Sequence, residues 1–311
     1  MTYQIPPNIE LGEVKLKVSN LQRSVKFYQE VVGLKLLTPE MPDLPGDPLE
    51  TADTLDILNP TARLTVDGKQ ALVVLEEIPN AKIVQPRSAT GLYHFAILVP
   101  NREALGLSLR NLIESGIRIG QADHLVSEAL YISDPDHNGI EIYVDRPRES
   151  WSMDAEGYYT MASDPLDWDG LLQEAEGKSW TGLPLGTIIG HVHFHVGELE
   201  LAKEFYCDLL GFEIKLDARR QMGALFISAG GYHHHVGLNI WAGVGAPVPP
   251  ENGTGLKYYT ILMPNHAEWD KIVNRLKNAG ISVKSGTSTA EQDRYYDAED
   301  PFGIKLRLTY K

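Results

Sequence analysis

The chain is poor in cysteine. Cys207 is the only one in 311 residues, so an intramolecular disulfide framework is excluded and a reducing compartment is expected. Long apolar runs are missing too. No stretch approaches the roughly 20 residues that cross a bilayer as a helix. The opening Met-Thr-Tyr-Gln-Ile-Pro-Pro has neither a basic nor an apolar segment, so no signal peptide is expected. Basic charge is scarce: 28 Lys and Arg stand against 42 Asp and Glu, for a net charge of −14. A surface that tracks phosphates needs a stripe of cations, and here they are scattered. A cytoplasmic protein with no membrane or nucleic-acid partner is expected. With 43% hydrophobic and 23% charged residues, the chain is of ordinary globular composition and long enough for two cores.

What is present is a repeat. Leu11-Gly12-Glu13-Val14-Lys15-Leu16-Lys17-Val18, followed by Leu21, Phe27-Tyr28 and Gly33, returns as Ile189-Gly190-His191-Val192-His193-Phe194-His195-Val196, followed by Leu199, Phe205-Tyr206 and Gly211. A second motif, from Thr90 to Asn101, returns from Thr254 to Asn265. The order is A, B, A′, B′. Scaffold positions persist between copies, while His and Glu appear in one copy and vanish from the other. Fold-determining positions are thereby separated from positions that carry chemistry.

Each copy opens on a strand. Val14, Leu16 and Val18 alternate with polar residues, as do Val192, Phe194 and Val196. A helix follows, begun at Asn20 or Glu198 and closed where Gly33 and Gly211 supply a positive φ. Further strands are expected at 62–66, 71–75, 129–133, 140–144, 224–227 and 235–241. The expected fold is therefore α+β, with four βαβββ modules at 9–80 (A), 90–147 (B), 186–245 (A′) and 254–311 (B′). Residues 148–185 form a joint. Its three tryptophans, Trp151, Trp168 and Trp180, suit an ordered wrap better than a flexible linker.

The strand, the Leu-x-x-Ser-x-x-Phe-Tyr-x-x-x-x-Gly helix and the closing Asp134-Pro135-Asp136-His137-Asn138-Gly139-Ile140-Glu141-Ile142-Tyr143 together resemble the vicinal oxygen chelate superfamily. Its members include glyoxalase I, extradiol ring-cleavage dioxygenases and fosfomycin-resistance proteins. Tyr232 to Trp241, with Gly91 to Phe95, is most similar to bacillus-type catechol 2,3-dioxygenases. The resemblance implies two half-open mixed β-barrels. It also implies metal ligands from three places: a His on the first strand of an A-type module, a His on the first strand of a B-type module, and a Glu on the latter's last strand. In B these are His94 and Glu141; in B′ the same places hold Tyr258 and Arg307. In A the place holds Glu13 and in A′ it holds His191. A full set exists only as His94, Glu141 and His191. Pairing of B with A′ is therefore expected, leaving A with B′ as a silent half in which Glu13 and Arg307 could pair.

Two neutral imidazoles and one carboxylate on one face leave adjacent positions open. That is the facial triad of non-haem Fe(II), with Mn(II) as a possible substitute. The implied activity is extradiol cleavage of a catechol by O₂, within aromatic hydrocarbon catabolism. The implied acid–base residue is His234, with His233 and His235 open as alternatives because a one-residue slip reverses the facing. Tyr131 is the implied donor to a substrate oxygen, and His124 lies near a supporting histidine. His193 and His195 share the face of His191 and can line the cavity, whereas His137 reads as an exposed turn residue. The rival readings are a glyoxalase-type isomerase or lyase, which usually takes a second Glu as fourth ligand, and a metal-dependent small-molecule binding or resistance protein. Four modules in one chain can complete a site without a partner, though a homo-oligomer stays open.

Overall fold

The computed structural model describes residues 3–37, 59–287 and 294–311. Residues 38–58, inside module A, lie outside the described residues. Module A comprises β1 (Glu10–Val18), α1 (Leu21–Phe27), β2 (Lys35–Leu36), β3 (Thr61–Thr65) and β4 (Ala71–Glu77). Module B comprises β5 (Gly91–Leu98), α2 (Arg102–Glu114), β6 (Gly120–Asp123), β7 (Ser127–Ser133) and β8 (Gly139–Asp145). The joint carries a short helix, α3 (Trp168–Glu174), which its composition had not signalled. Module A′ holds β9 (Ile188–His195), α4 (Leu199–Lys203), β10 (Glu213–Ala218), α5 (Arg219–Met222), β11 (Ala224–Ser228) and β12 (Val236–Asn239). Module B′ holds β13 (Gly255–Met263), α6 (His266–Asn278), β14 (Lys284–Thr287), β15 (Arg294–Glu299) and β16 (Lys305–Tyr310).

The strands form two eight-stranded mixed sheets. One runs β14-β15-β16-β13-β1-β4-β3-β2 and the other β10-β11-β12-β9-β5-β8-β7-β6. In the first, β1 lies antiparallel to β13, so modules A and B′ share it. In the second, β5 lies antiparallel to β9, so B and A′ share it. Strand alternation explains the layering. Val192, Phe194 and Val196 are buried in the core between the sheets, while His191, His193 and His195 are buried on the opposite, concave face. Phe194 meets Tyr259 of the other sheet, ring centroids 5.1 Å apart.

The repeated Phe-Tyr pair ties the sheets together. Tyr28 of module A donates to Asp134 of module B at 3.1 Å, and Tyr206 of A′ donates to Asp300 of B′ at 3.0 Å. Each tie joins modules that are consecutive in sequence but sit in different sheets. The helices that carry these tyrosines widen into a π turn, at Tyr28–Val32 and Glu204–Leu209, before Gly33 or Gly211 ends them at φ +93° or +86°. The apolar spacing alone predicts an uninterrupted α-helix. The partners that meet these π turns come from elsewhere in the chain: Asn111 donates to the carbonyl of Val31, and Arg275 to that of Leu209.

Candidate metal centre and its chamber

β9, β5 and β8 are neighbours in one sheet. Ala96 of β5 stands beside His191 on one side and Glu141 on the other, while His94 lies two residues back on the same face. The ligand atoms of His94, Glu141 and His191 lie within 4.8 Å of one another, and all three residues are buried. The Nε2 atoms of both His94 and His191 lie 3.0 Å from the same Glu141 oxygen. His94 Nε2 is nevertheless buried without a hydrogen bond of good geometry. Burial holds both imidazoles below the usual histidine range. Burial opposes ionisation of Glu141, yet the two histidines hold its carboxyl well below the ordinary value. Neutral imidazoles and an ionised carboxylate are the protonation state a divalent cation requires. The donor set and its orphaned nitrogen fit such an ion.

A chamber of about 470 Å³ opens on this cluster. Tyr93, Tyr131, His193, His234, Phe226 and Trp241 line it, and Met161 and Ala162 of the joint close one wall. The three consecutive histidines diverge. His234 faces the chamber with its ring 4.1 Å from that of His191. His233 is fully buried behind it, its Nδ1 2.8 Å from His234 Nδ1 and its Nε2 3.0 Å from Asp145. It does not line the chamber and touches it only through His234. His235 turns away and accepts the backbone N–H of Ala229; strand β12 starts after it, at Val236, rather than at His235 as the pattern predicted.

The network assigns the protons. Asp145 can only accept when ionised, so a neutral His233 donates from Nε2 and accepts at Nδ1. His234 must then carry its proton on Nδ1, leaving Nε2 as a free lone pair. Burial, then the neighbouring histidines, lower its pKa well below the usual value. On the other wall, His124 donates from Nδ1 to the carbonyl of Ala162 at 2.6 Å, and its Nε2 lies 2.7 Å from the Tyr131 hydroxyl. With Nδ1 donating to that carbonyl, His124 accepts the Tyr131 proton at Nε2.

Two residues of this network were not singled out from the sequence. Asp145 follows Glu141 and Tyr143 at the strand period of two, which was the signal available. Asn239 stands polar in an apolar strand: its Oδ1 accepts from Trp241 N–H and from His195 Nδ1 at 2.6 Å, and its Nδ2 donates to His193 Nε2 at 2.9 Å. Beside it, a Cβ on Gly237 would lie 2.7 Å from the His193 ring, so only glycine fits there. His195 lies at the end of the row and His137 is an exposed turn residue at φ +67°.

In the other sheet the same positions are filled by charge. Glu13 accepts from Tyr258 at 2.7 Å and pairs with Arg63 at 3.3 Å. Arg307 does not take Glu13 as expected; it forks onto Asp297 at 2.8 and 2.9 Å, with its guanidinium over Tyr258 and Tyr295. The planar fork finds a carboxylate in register on the adjacent strand β15, a better match than Glu13 on the far side of β13.

Sequence and structure comparisons agree with this architecture. The model of the Glyoxalase/Bleomycin resistance protein/Dioxygenase superfamily matches residues 10–142 and 188–308. The chain therefore belongs to that superfamily. It is 48% identical over 297 residues, 96% of this chain and 95% of the relative, to a protein named catechol-2,3-dioxygenase of Bacillus subtilis (strain 168). Among solved structures it resembles a putative dioxygenase of Bacillus subtilis subsp. subtilis str. 168 with a TM-score of 0.64 at 11% identity, over 99% of this chain and 86% of that one. It also resembles glyoxalase I of Zea mays, TM-score 0.56 at 17% identity, over 97% and 92% of the two chains. At these identities the structural likenesses describe the fold alone. Among the described residues no helix is long and apolar enough to cross a membrane.

Proposed function

We propose that the chain is an extradiol dioxygenase that cleaves the ring of catechol or a substituted catechol with O₂, as a cytoplasmic enzyme. The observation that carries this reading is the buried His94–Glu141–His191 cluster opening on a chamber whose other walls hold a base and a hydroxyl. The 48% identical relative bears that name. The assigned metal half is the sheet built from B and A′, and the sheet of A and B′ is its silent counterpart.

His94, Glu141 and His191 would hold Fe(II), or Mn(II). The ion would supply a template at which two vicinal oxygens and O₂ meet, with a path for electrons between them. The protein's own part is positioning and proton transfer. His234 Nε2, presented as a lone pair, accepts a catechol proton and returns it as the ring opens. Tyr131 holds a substrate oxygen, with His124 behind it setting the direction of its hydrogen bond. Phe226 and Trp241 supply apolar walls for an aromatic ring. In sum, one ring C–C bond and the O–O bond break, and both oxygen atoms end in a ring-opened hydroxy-acid aldehyde.

A glyoxalase-type isomerase fits less well. The fourth carboxylate ligand usual in such sites would come from β12, which reads Val-Gly-Leu-Asn. The cluster among the described residues holds three ligands. The deciding experiment loads the protein anaerobically with Fe(II), adds catechol and 4-methylcatechol under air, and follows the yellow ring-opened product. Colour that vanishes in Glu141→Ala and His94→Ala, together with the bound metal, is expected. Metal bound at one per chain without colour would move the assignment to an isomerase or resistance role.

A further inference from the structure

A second cavity, also of about 470 Å³, lies where the two sheets meet, bounded by the linker at 84–90, the turn at 136–139 and the start of β13. It shares Tyr93, His94 and Tyr131 with the chamber, so the two spaces adjoin at these three side chains. Its walls carry three cations, Lys17, Arg87 and Arg118, in a protein whose net charge is −14. Among the described residues neither Arg87 nor Arg118 forms an ion pair with a carboxylate. The acid on the wall, Asp136, is already taken by Ser19 and Arg23. Lys17 donates to the carbonyl of Glu251; burial, then Lys305 and Lys257, lower its pKa, against the opposing carboxylates of Glu76 and Glu251. Arg87 and His137 both line this cavity in the left-handed region, at φ +60° and +67°, a conformation uncommon for non-glycine residues.

Two arginines without a carboxylate partner, lining with Lys17 a concavity beside a reaction chamber, offer an anion a place to bind. A catechol carries no such charge. Two things connected with its cleavage do: a carboxylate substituent on the ring, and the carboxylate that cleavage itself creates. In cleavage beside the diol, the ring gives up four electrons to O₂. One oxygen atom joins the hydroxyl-bearing carbon, which becomes a carboxylic acid and loses a proton, and the other becomes the aldehyde.

We propose that this cavity, through Arg87, Arg118 and Lys17, is a subsite for a small organic carboxylate passing to or from the chamber beside Tyr93 and Tyr131. The proposal rests on the ring-cleavage reading for its choice of carboxylate. Lys17 sets the charge of the inner wall, and the two arginines, exposed at the rim, supply planar donors that match a carboxylate in pairs.

The test titrates the metal-loaded protein calorimetrically with benzoate and with neutral benzamide, for wild type and for Arg87→Gln, Arg118→Gln and the double variant. Benzoate alone is expected to bind, about tenfold more weakly for each arginine lost, with affinity falling as salt rises. Both arginines are exposed, so the variants keep the fold, which unfolding midpoints verify. Steady-state rates then separate the sources. A drop in kcat/KM for 3,4-dihydroxybenzoate relative to catechol in the double variant identifies a substrate substituent. An unchanged ratio with weaker inhibition by the ring-opened product identifies product capture. Benzoate binding that is absent, equal to that of benzamide, or untouched by the variants overturns the subsite whatever the protein does to catechol. Specific benzoate binding in a wild type that never cleaves catechol keeps the subsite and removes the ring-cleavage reading.

Discussion

His234 shows how a side chain outside the chamber sets chemistry within it. Asp145 Oδ1 takes both the His233 Nε2 proton and the Tyr232 hydroxyl, at 3.0 and 3.1 Å. That fixes His233, and His233 fixes the tautomer of His234. Replacing His234 by Gln is expected to lower kcat roughly 10²- to 10³-fold, with metal content unchanged. Asp145→Asn leaves the chamber lining intact but lets His233 turn its proton inward. About a tenfold to hundredfold loss in kcat is expected, with KM for catechol little changed and the pH–rate profile displaced. A normal profile in Asp145→Asn would remove the carboxylate from the proton path. Glu76, in the other sheet, tests charge without catalysis. Burial opposes its ionisation, but Lys257 at 2.6 Å and Lys15 at 2.9 Å hold its pKa at about 2. Its folded pKa lies below the unfolded value of 4.5, so the stabilisation is present above pH 4.5 and lost as pH falls towards 2. Glu76→Gln should cost on the order of 3 kcal/mol at pH 7, and its gap from wild type in urea unfolding should narrow below pH 5.

Strands account for most of what could be read without coordinates. The period of two placed Val192 and Phe194 opposite His191 and His193, and the repeat exposed which histidines one copy had lost. The site's three ligand candidates became visible because two of their counterparts, Tyr258 and Arg307, suit a divalent cation poorly, and Glu13 in place of His191 makes an unusual set. The π turns were not legible. A π turn differs from an α turn by one hydrogen bond, and the groups that meet it, Asn111 and Arg275, come from other modules. Nor was the destination of Arg307, because side-chain pairing across strands depends on register that the repeat does not specify. Gly237 offers a test at this scale. A Cβ there meets the His193 ring, which Asn239 anchors, so Gly237→Ala should cost about 1–3 kcal/mol and distort the chamber. Unchanged stability, measured by urea unfolding, would mean that β12 and β9 can slide apart.

At the scale of the molecule, the two modules on each side of the joint do not pair with one another: A shares a sheet with B′, and B with A′. A chain cut in the joint should therefore yield pieces that cannot fold alone: 1–165 keeps β1 and β5 without their partners β13 and β9. Neither 1–165 nor 166–311 is expected to unfold cooperatively by itself, whereas co-expression should restore a complex that binds metal. In that complex His94 and Glu141 come from one piece and His191 and His234 from the other. A cooperative, monomeric 1–165 would contradict the sheet order. The same order has a temporal side. The sheet that carries the candidate metal cluster is drawn from one unbroken run, β5 to β12, while the other is assembled from the two ends of the chain, with Glu13 meeting Tyr258 across 245 residues. At about 5–20 residues per second of synthesis, β1 leaves the ribosome roughly ten to fifty seconds before β13. The middle of the chain can close first and serve as the surface on which the waiting N-terminal module docks. Until then β1 is an open edge, and a cell making this protein must keep that edge from finding the β1 of another nascent copy.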